Sequence, residues 1–245
     1  MPVFAGPSLP PGNRVIEGFD WRPPAAAGDL LALLDDPPRV LCLIDGYFDR
    51  CAAPWHKEIL LLMEAGTRVF GAASMGALRA AELAPFGMSG VGTIYTAYRN
   101  GMLTGDDEVA LIHATEQLSW APLTVPMVEV RATLAQACRD GLLDVQAARR
   151  IRAVAHDVHY ADRDWPALEQ ACVSARLIDR TQFGHLAANH VQLKRFDALR
   201  CLEAAVRAGA EDRTPVAVPR TWFIRSLAQQ LEVALEPPTA PGRAR

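Results

Sequence analysis

Residues 67–83, TRVFGAASMGALRAAEL, change their period halfway along. TRVFGAAS is a short, mostly apolar run of the kind that forms a buried strand. MGALRAAEL then carries apolar side chains at helical spacing until Pro85 closes it. One serine, Ser74, stands at the join between small residues. The stretch therefore predicts a strand that turns directly into a helix.

The residues upstream repeat this order. In RVLCLIDGYFD (39–49), Val40 to Ile44 form a continuous apolar run, expected of a strand covered on both faces, with Asp45 and Gly46 at its carboxyl end. APWHKEILLLMEAG (53–66) follows with a helical stripe through Trp55, Ile59, Leu60, Leu62 and Met63, and Gly66 is the stop signal. The opening MPVFAGPSLP reads as a strand entering a loop at Ser8, and GDLLALLDD (28–36) as a helix stopped by Pro37 and Pro38.

Strand and helix alternating at this spacing imply an α/β fold, a parallel-sheet Rossmann-like core with right-handed crossovers. Sites in such sheets form outside the carboxyl ends of the strands. Three of those ends carry polar groups toward one edge: Ser8, Asp45 and Ser74.

Beyond Gly87 the pattern changes. GMSGVGTIYTAYRNG (87–101) is glycine-rich and then helix-like, GDDEVALIHA (105–114) looks like an acidic helix start, and PMVEVRATLAQACRDGLL (126–143) turns helical. From Asp144 to about Arg207 nearly everything reads as helix, with breaks near Asp162, Arg180 and Ala210. The expected organisation is an α/β core over 1–140, a mostly helical C-terminal region over 141–234, and a disordered tail over 235–245.

Bulk properties exclude several functions. The chain has 245 residues, half of them hydrophobic, and a formal net charge of −3, which argues against general nucleic-acid affinity; Arg149, Arg150 and Arg152 gather, but with Asp140, Asp144 and Asp157 close by they read as a solvated helix face. Its five cysteines are scattered and form no CxxC pair, which indicates neither a disulfide framework nor a zinc site. No apolar run approaches the roughly 18–20 residues of a membrane helix, and no signal peptide opens the chain, so a cytoplasmic protein is expected. There is no Walker motif. The GVG at Gly90 to Gly92 lacks the GxGxxG frame, and no cofactor is expected. Neither Glu108 with His113 nor His156 with His159 completes a metal-ligand set.

Ser74 has two readings. Its surroundings, Ala72 and Gly76, give A-x-S-x-G, a variant of the nucleophile elbow in which small flanking residues let strand and helix approach. The N–H of Met75 would then be one oxyanion donor, with others from Gly6 and Ser8 or from Gly46. Serine is equally a favoured helix cap, and the same turn would hold an anion on free N–H groups without chemistry. His56 and Lys57 open the helix after the Asp45 strand, and either would serve as a base, with Asp45 orienting it. Their alternatives are a polar helix start, a surface charge and a turn cap. Asp106 and Asp107 suit the positive end of a helix dipole.

The strings LIDGYFD, PWHKEILLLMEAGTRVFGAASMGALRAAELAPFGMSGVGTIYTAYRNG, DDEVALIHA and VEVRATLAQA together resemble the TfuA-like protein family, as does VFAGPSLP at the start. The resemblance covers roughly the first 140 residues; the helical part after Gly141 carries no recognised motif. It implies a role beside a YcaO-type enzyme, which uses ATP on its own side to activate a backbone amide, in thioamide formation on ribosomally synthesised peptides or proteins. The TfuA-like member would supply sulfur or support its partner. Joined to Ser74, the resemblance suggests hydrolysis of a thiocarboxylated, ubiquitin-like sulfur-carrier protein to release sulfide. Arg79, Asp106 and Asp107 would help seat the carrier tail. A non-catalytic activator or docking partner of the YcaO enzyme, and an independent serine hydrolase, remain open, as does assembly into a homo-oligomer.

Overall fold

The computed structural model describes residues 1–14, 18–48, 51–208 and 217–235; the tail expected over 235–245 lies outside them except for Leu235. Five strands, β1 (Pro2–Phe4), β2 (Asp20–Arg22), β3 (Val40–Leu43), β4 (Arg68–Gly71) and β5 (Ser89–Gly90), form one sheet in the order β2-β1-β3-β4-β5, every pair parallel. In this order the connections diverge between β1 and β3, and the crevice above that divergence is where open α/β sheets bind ligands.

Strand periodicity sorts the side chains onto two faces. Leu41, Leu43, Phe4 and Val69 pack beneath α1 (His56–Glu64) and α2 (Met75–Leu83), against Ile59, Leu62, Ala80 and Leu83. Val3, Ala5, Cys42, Ile44, Phe70 and Ala72 face the other way. Both crossovers from β3 to β5 leave their helices on the first face, so the second must be covered from elsewhere.

That cover is a helix from far along the chain. After α3 (Thr93–Arg99) come α4 (Met127–Arg139), α5 (Val145–Asp157), α6 (Trp165–Ser174) and α7 (Arg180–Ala188). These last four share a core of their own, built on Met127, Leu134, Ile151, Leu168, Cys172 and Phe183. The chain then returns as α8 (Leu193–Arg207), whose Ala198, Cys201, Leu202 and Ala205 lie on the second face of the sheet. Small residues on that stripe let the helix approach closely. A last helix, α9 (Trp222–Gln230), packs Ile224 and Ala228 on Leu31 and Leu61. The 141–234 stretch is mostly helical, but packing groups α4 with α5–α7, lays α8 on the sheet and sets α9 against α1.

Two expected helices take other forms. Leu31–Asp35 is a 3-10 turn, because Pro37 and Pro38 leave too few residues for a propagating α-helix. Asp106–Glu108 is a single 3-10 turn, after which Val109–Thr124 runs as a loop over the sheet edge. That loop is pinned by Leu123 N–H on Ile112 O (2.8 Å) and Ile112 N–H on Thr124 Oγ1 (2.7 Å). Its Trp120 ring and Trp21 both lie against the Arg14 guanidinium, which donates to Ala5 O and Leu9 O and so ties the loop to the end of β1.

Candidate functional site

The turn from β4 into α2 is made without a spare atom. Gly76 N–H donates to Ile44 O (3.1 Å), and a Cβ on Gly76 would stand 1.8 Å from Leu43 O. A Cβ on Gly71 would stand 2.1 Å from Gly76 O. Only glycine permits this approach of helix to strand. To make the turn, Ser74 N–H donates to Ala72 O at 2.7 Å and Ala73 takes φ +65°, a left-handed conformation rare for alanine. Such a residue stores on the order of 1–3 kcal/mol of strain, sustained by the packing around it. The strained residue precedes the serine.

Ser74 occupies the N-cap position of α2, yet its hydroxyl makes no capping hydrogen bond. It faces a cavity of about 40 Å³, lined also by Asp45, Gly46, Tyr47, His113, Tyr160 and Lys194. That volume holds the end of an acyl group or two or three waters. Ser74 and Lys194 are 3 % and 2 % exposed.

Lys194 is the residue that sequence reasoning missed. It enters at the start of α8, and its ammonium donates to Val109 O at 2.9 Å. Burial lowers its pKa below the ordinary lysine value, while the charges of Asp45 and Glu129 raise it. Its other side borders a wider cavity of about 570 Å³, which shares Pro7, Leu111 and Lys194 with the first and contains Glu129, Trp165 and His190. Burial raises the Glu129 pKa, partly offset by the charge of Lys194. The signal for Lys194 was positional: Lys194, Asp197, Ala198, Cys201, Leu202 and Ala205 share the buried stripe of an amphipathic helix, where a lysine is out of place.

Asp45 lies at the end of β3 with its carboxylate saturated. Oδ2 accepts the N–H groups of Gly6 (2.8 Å) and Ser8 (3.0 Å), and Oδ1 accepts the Ser8 hydroxyl (2.6 Å). The three strand ends do converge. Gly6 and Ser8, however, spend their N–H groups on Asp45 and have none for an oxyanion. Met75 N–H, at the first position of α2, is among those that helix geometry leaves without an intrahelical acceptor. Gly46 lies alongside it, since a Cβ there would stand 2.8 Å from Met75 Cγ.

Other expected site residues lie elsewhere. The side chains of His56 and Lys57 diverge from the cavity because they leave the first turn of α1 toward other elements. His56 Nε2 pairs with Glu82 (2.7 Å), and Lys57 Nζ donates to Pro219 O (3.0 Å) and Thr221 Oγ1 (3.1 Å). Arg79 donates to Pro54 O and Glu82. Asp106 and Asp107 sit on the 3-10 turn and do not line the cavity; the next residue, Glu108, is buried in an ion pair with Arg131. Among the described residues no group of three or more His, Cys, Asp or Glu side chains is arranged to hold a metal ion, and no helix is long and apolar enough to cross a membrane.

Residues 45–164 match the model of the TfuA-like protein family. This part of the chain belongs to that family. The matched stretch carries Asp45, Ser74 and the Val109 carbonyl; Gly6, Ser8 and Lys194 lie outside it and reach the TfuA-like segment only through the fold. No curated protein matches the chain.

Proposed function

We propose that this TfuA-like protein is a serine hydrolase that cleaves a C-terminal thiocarboxylate and releases sulfide, with Ser74 as nucleophile and Lys194 as base. The observation that carries this reading is the shared narrow cavity of an uncapped serine on a strained turn and a buried lysine held to a backbone carbonyl. Serine–lysine pairs perform acyl transfer on several unrelated folds.

Lys194, with its pKa lowered, takes the Ser74 hydroxyl proton as Oγ attacks the thioacid carbonyl carbon. The tetrahedral oxyanion would be held by Met75 N–H, which has no intrahelical acceptor at the first position of α2, with Gly46 N–H as the second donor in this reading. Its collapse breaks the C–S bond, and hydrosulfide leaves with the proton that Lys194 returns. A water, deprotonated by Lys194, then opens the Ser74 ester to a carboxylate and restores the hydroxyl. One thioacid and one water become one carboxylic acid and one hydrogen sulfide. Val109 O fixes the amine, and Asp45 supplies a nearby negative charge while holding the β1 loop.

A ubiquitin-like carrier tail suits a cavity that admits only the end of a chain, and the released sulfide would serve a YcaO-type partner in thioamide formation. The test is sulfide release from a thiocarboxylated carrier protein by wild type, Ser74→Ala and Lys194→Met, each checked for folding by thermal melting. Loss of release in both folded variants supports the reading. Retained release in Ser74→Ala removes it, and support of the partner enzyme without any release makes the protein an activator.

A further inference from the structure

A second surface lies away from the Ser74 cavity and shares no lining residue with it. The outer face of α4, from Val128 to Arg139, forms the floor of two adjoining depressions of about 560 and 330 Å³, one toward α3 and one toward α5. Their floor is aliphatic: Ile94, Leu103, Val128, Ala132, Ala135 and Val145. Four arginines line them, Arg131, Arg139, Arg149 and Arg152, and no aspartate or glutamate does. This charge stands out on a chain whose formal net charge is −3. Arg131 is paired with Glu108, and Arg139 donates to Gln136 (2.6 Å). Arg149 and Arg152 are exposed and have no ion-pair partner among the described residues.

We infer that this groove docks an acidic amphipathic helix of a partner protein. The apolar floor matches the buried stripe of such a helix, and the arginines match carboxylates on its flanks. The eleven helical steps from Val128 to Arg139 run about 17 Å, the length of three turns of a docked helix. Small Ala132 and Ala135 on the ridge let a second helix come close. A nucleic acid would use the arginines but gain nothing from an aliphatic floor without an aromatic ring for base stacking.

The probe is a fluorescent, end-capped synthetic peptide of about 18 residues, with leucines at i, i+3, i+4 and i+7 and glutamates on the flanks. Fluorescence anisotropy with the full chain should show saturable binding, weakened about fivefold or more between about 50 and 300 mM salt. The double variant Arg149→Glu, Arg152→Glu should bind at least about tenfold more weakly. Ala135→Trp, which fills the floor without changing charge, should lose binding as well. Both change exposed side chains, and unchanged melting confirms that they fold. The inference is overturned if the peptide does not bind, if a lysine-flanked version binds equally, or if either variant binds like wild type. It also falls if a single-stranded oligonucleotide binds as tightly and with the same losses. A wild-type dimer that Ala135→Trp converts to monomer in sedimentation would make the occupant a second copy and end the proposal.

Discussion

Exchanging Gly76 for alanine separates the elbow from an ordinary helix start. The added methyl would lie 1.8 Å from Leu43 O and 2.6 Å from Leu43 C. Both contacts are backbone atoms in a central strand, so no side chain can rotate away. Restoring even the shortest tolerated contact of 3.0 Å requires α2 to retreat from β3 by at least about 1.2 Å. That stretches the Gly76 N–H to Ile44 O bond beyond its present 3.1 Å. Overpacking of this kind costs about 1–3 kcal/mol in general, and the upper end applies where nothing nearby is flexible. For a chain of this size the loss corresponds to a melting temperature lower by about 6–12 °C. Ser74 and Met75 move with the helix, and a misplacement of about 1 Å at a reacting group costs on the order of 100-fold in rate. Gly184 provides the control. It sits exposed inside α7 at ordinary φ, with nothing within 4 Å of an added Cβ. Gly184→Ala should therefore stabilise by about 0.5–1 kcal/mol. Urea unfolding of both variants decides the matter. A Gly76→Ala protein within about 1 kcal/mol of wild type and fully active would refute the close strand–helix approach.

Four further outcomes follow from the same geometry. Sulfide release should rise with pH as Lys194 deprotonates, at a pH below the ordinary lysine range; Glu129→Gln removes a charge that raises this pKa, so the rise should move to lower pH, and no movement would disconnect Glu129 from the base. Asp45→Asn turns an NH₂ toward donors it once accepted from, and should cost about 1–3 kcal/mol in unfolding free energy as well as activity. Asp197→Ala strips the carboxylate that accepts Thr93 N–H (2.9 Å) and Ile94 N–H (2.8 Å) at the start of α3, at a cost of about 1–2 kcal/mol measured by thermal melting. Glu58 is fully buried, and burial raises its pKa although three backbone N–H groups favour its charge. The native state then holds that proton more tightly than the unfolded chain, so stability declines as pH rises above the ordinary glutamate range. Glu58→Gln should remove that share of the slope in a series of melts, and an unchanged slope would deny Glu58 the role.

The sheet was legible where the sequence carries strong local signals. The apolar run from Val40 to Ile44 and the period change at Ser74 both appear as β3, β4 and α2. What escaped was short or distant. β2 is three residues at an edge, too brief for any period to show. The helix start expected over 105–114 ends after one 3-10 turn: the acidic residues Asp106 and Asp107 imitate a helix start, while Ile112 N–H is held by Thr124 Oγ1 and the loop's Trp120 lies against Arg14. Sequence proximity pointed to His56 and Lys57, which open the helix that follows the Asp45 strand. The lysine in the cavity stands 120 positions beyond Ser74, and only tertiary packing brings it there.

That distance has a consequence for synthesis. While the ribosome makes this chain, all five strands of the sheet are complete by Gly90, and α8 emerges more than 100 residues later. Until then one face of the sheet has no cover and the Ser74 hollow has no amine. The helix that seals the hydrophobic face is also the one that brings Lys194, the proposed base. With Ser74 and Lys194 in their proposed roles, a chain that ends before α8 would be inert as well as sticky, and reactive serine chemistry would be absent until the fold that confines it is closed.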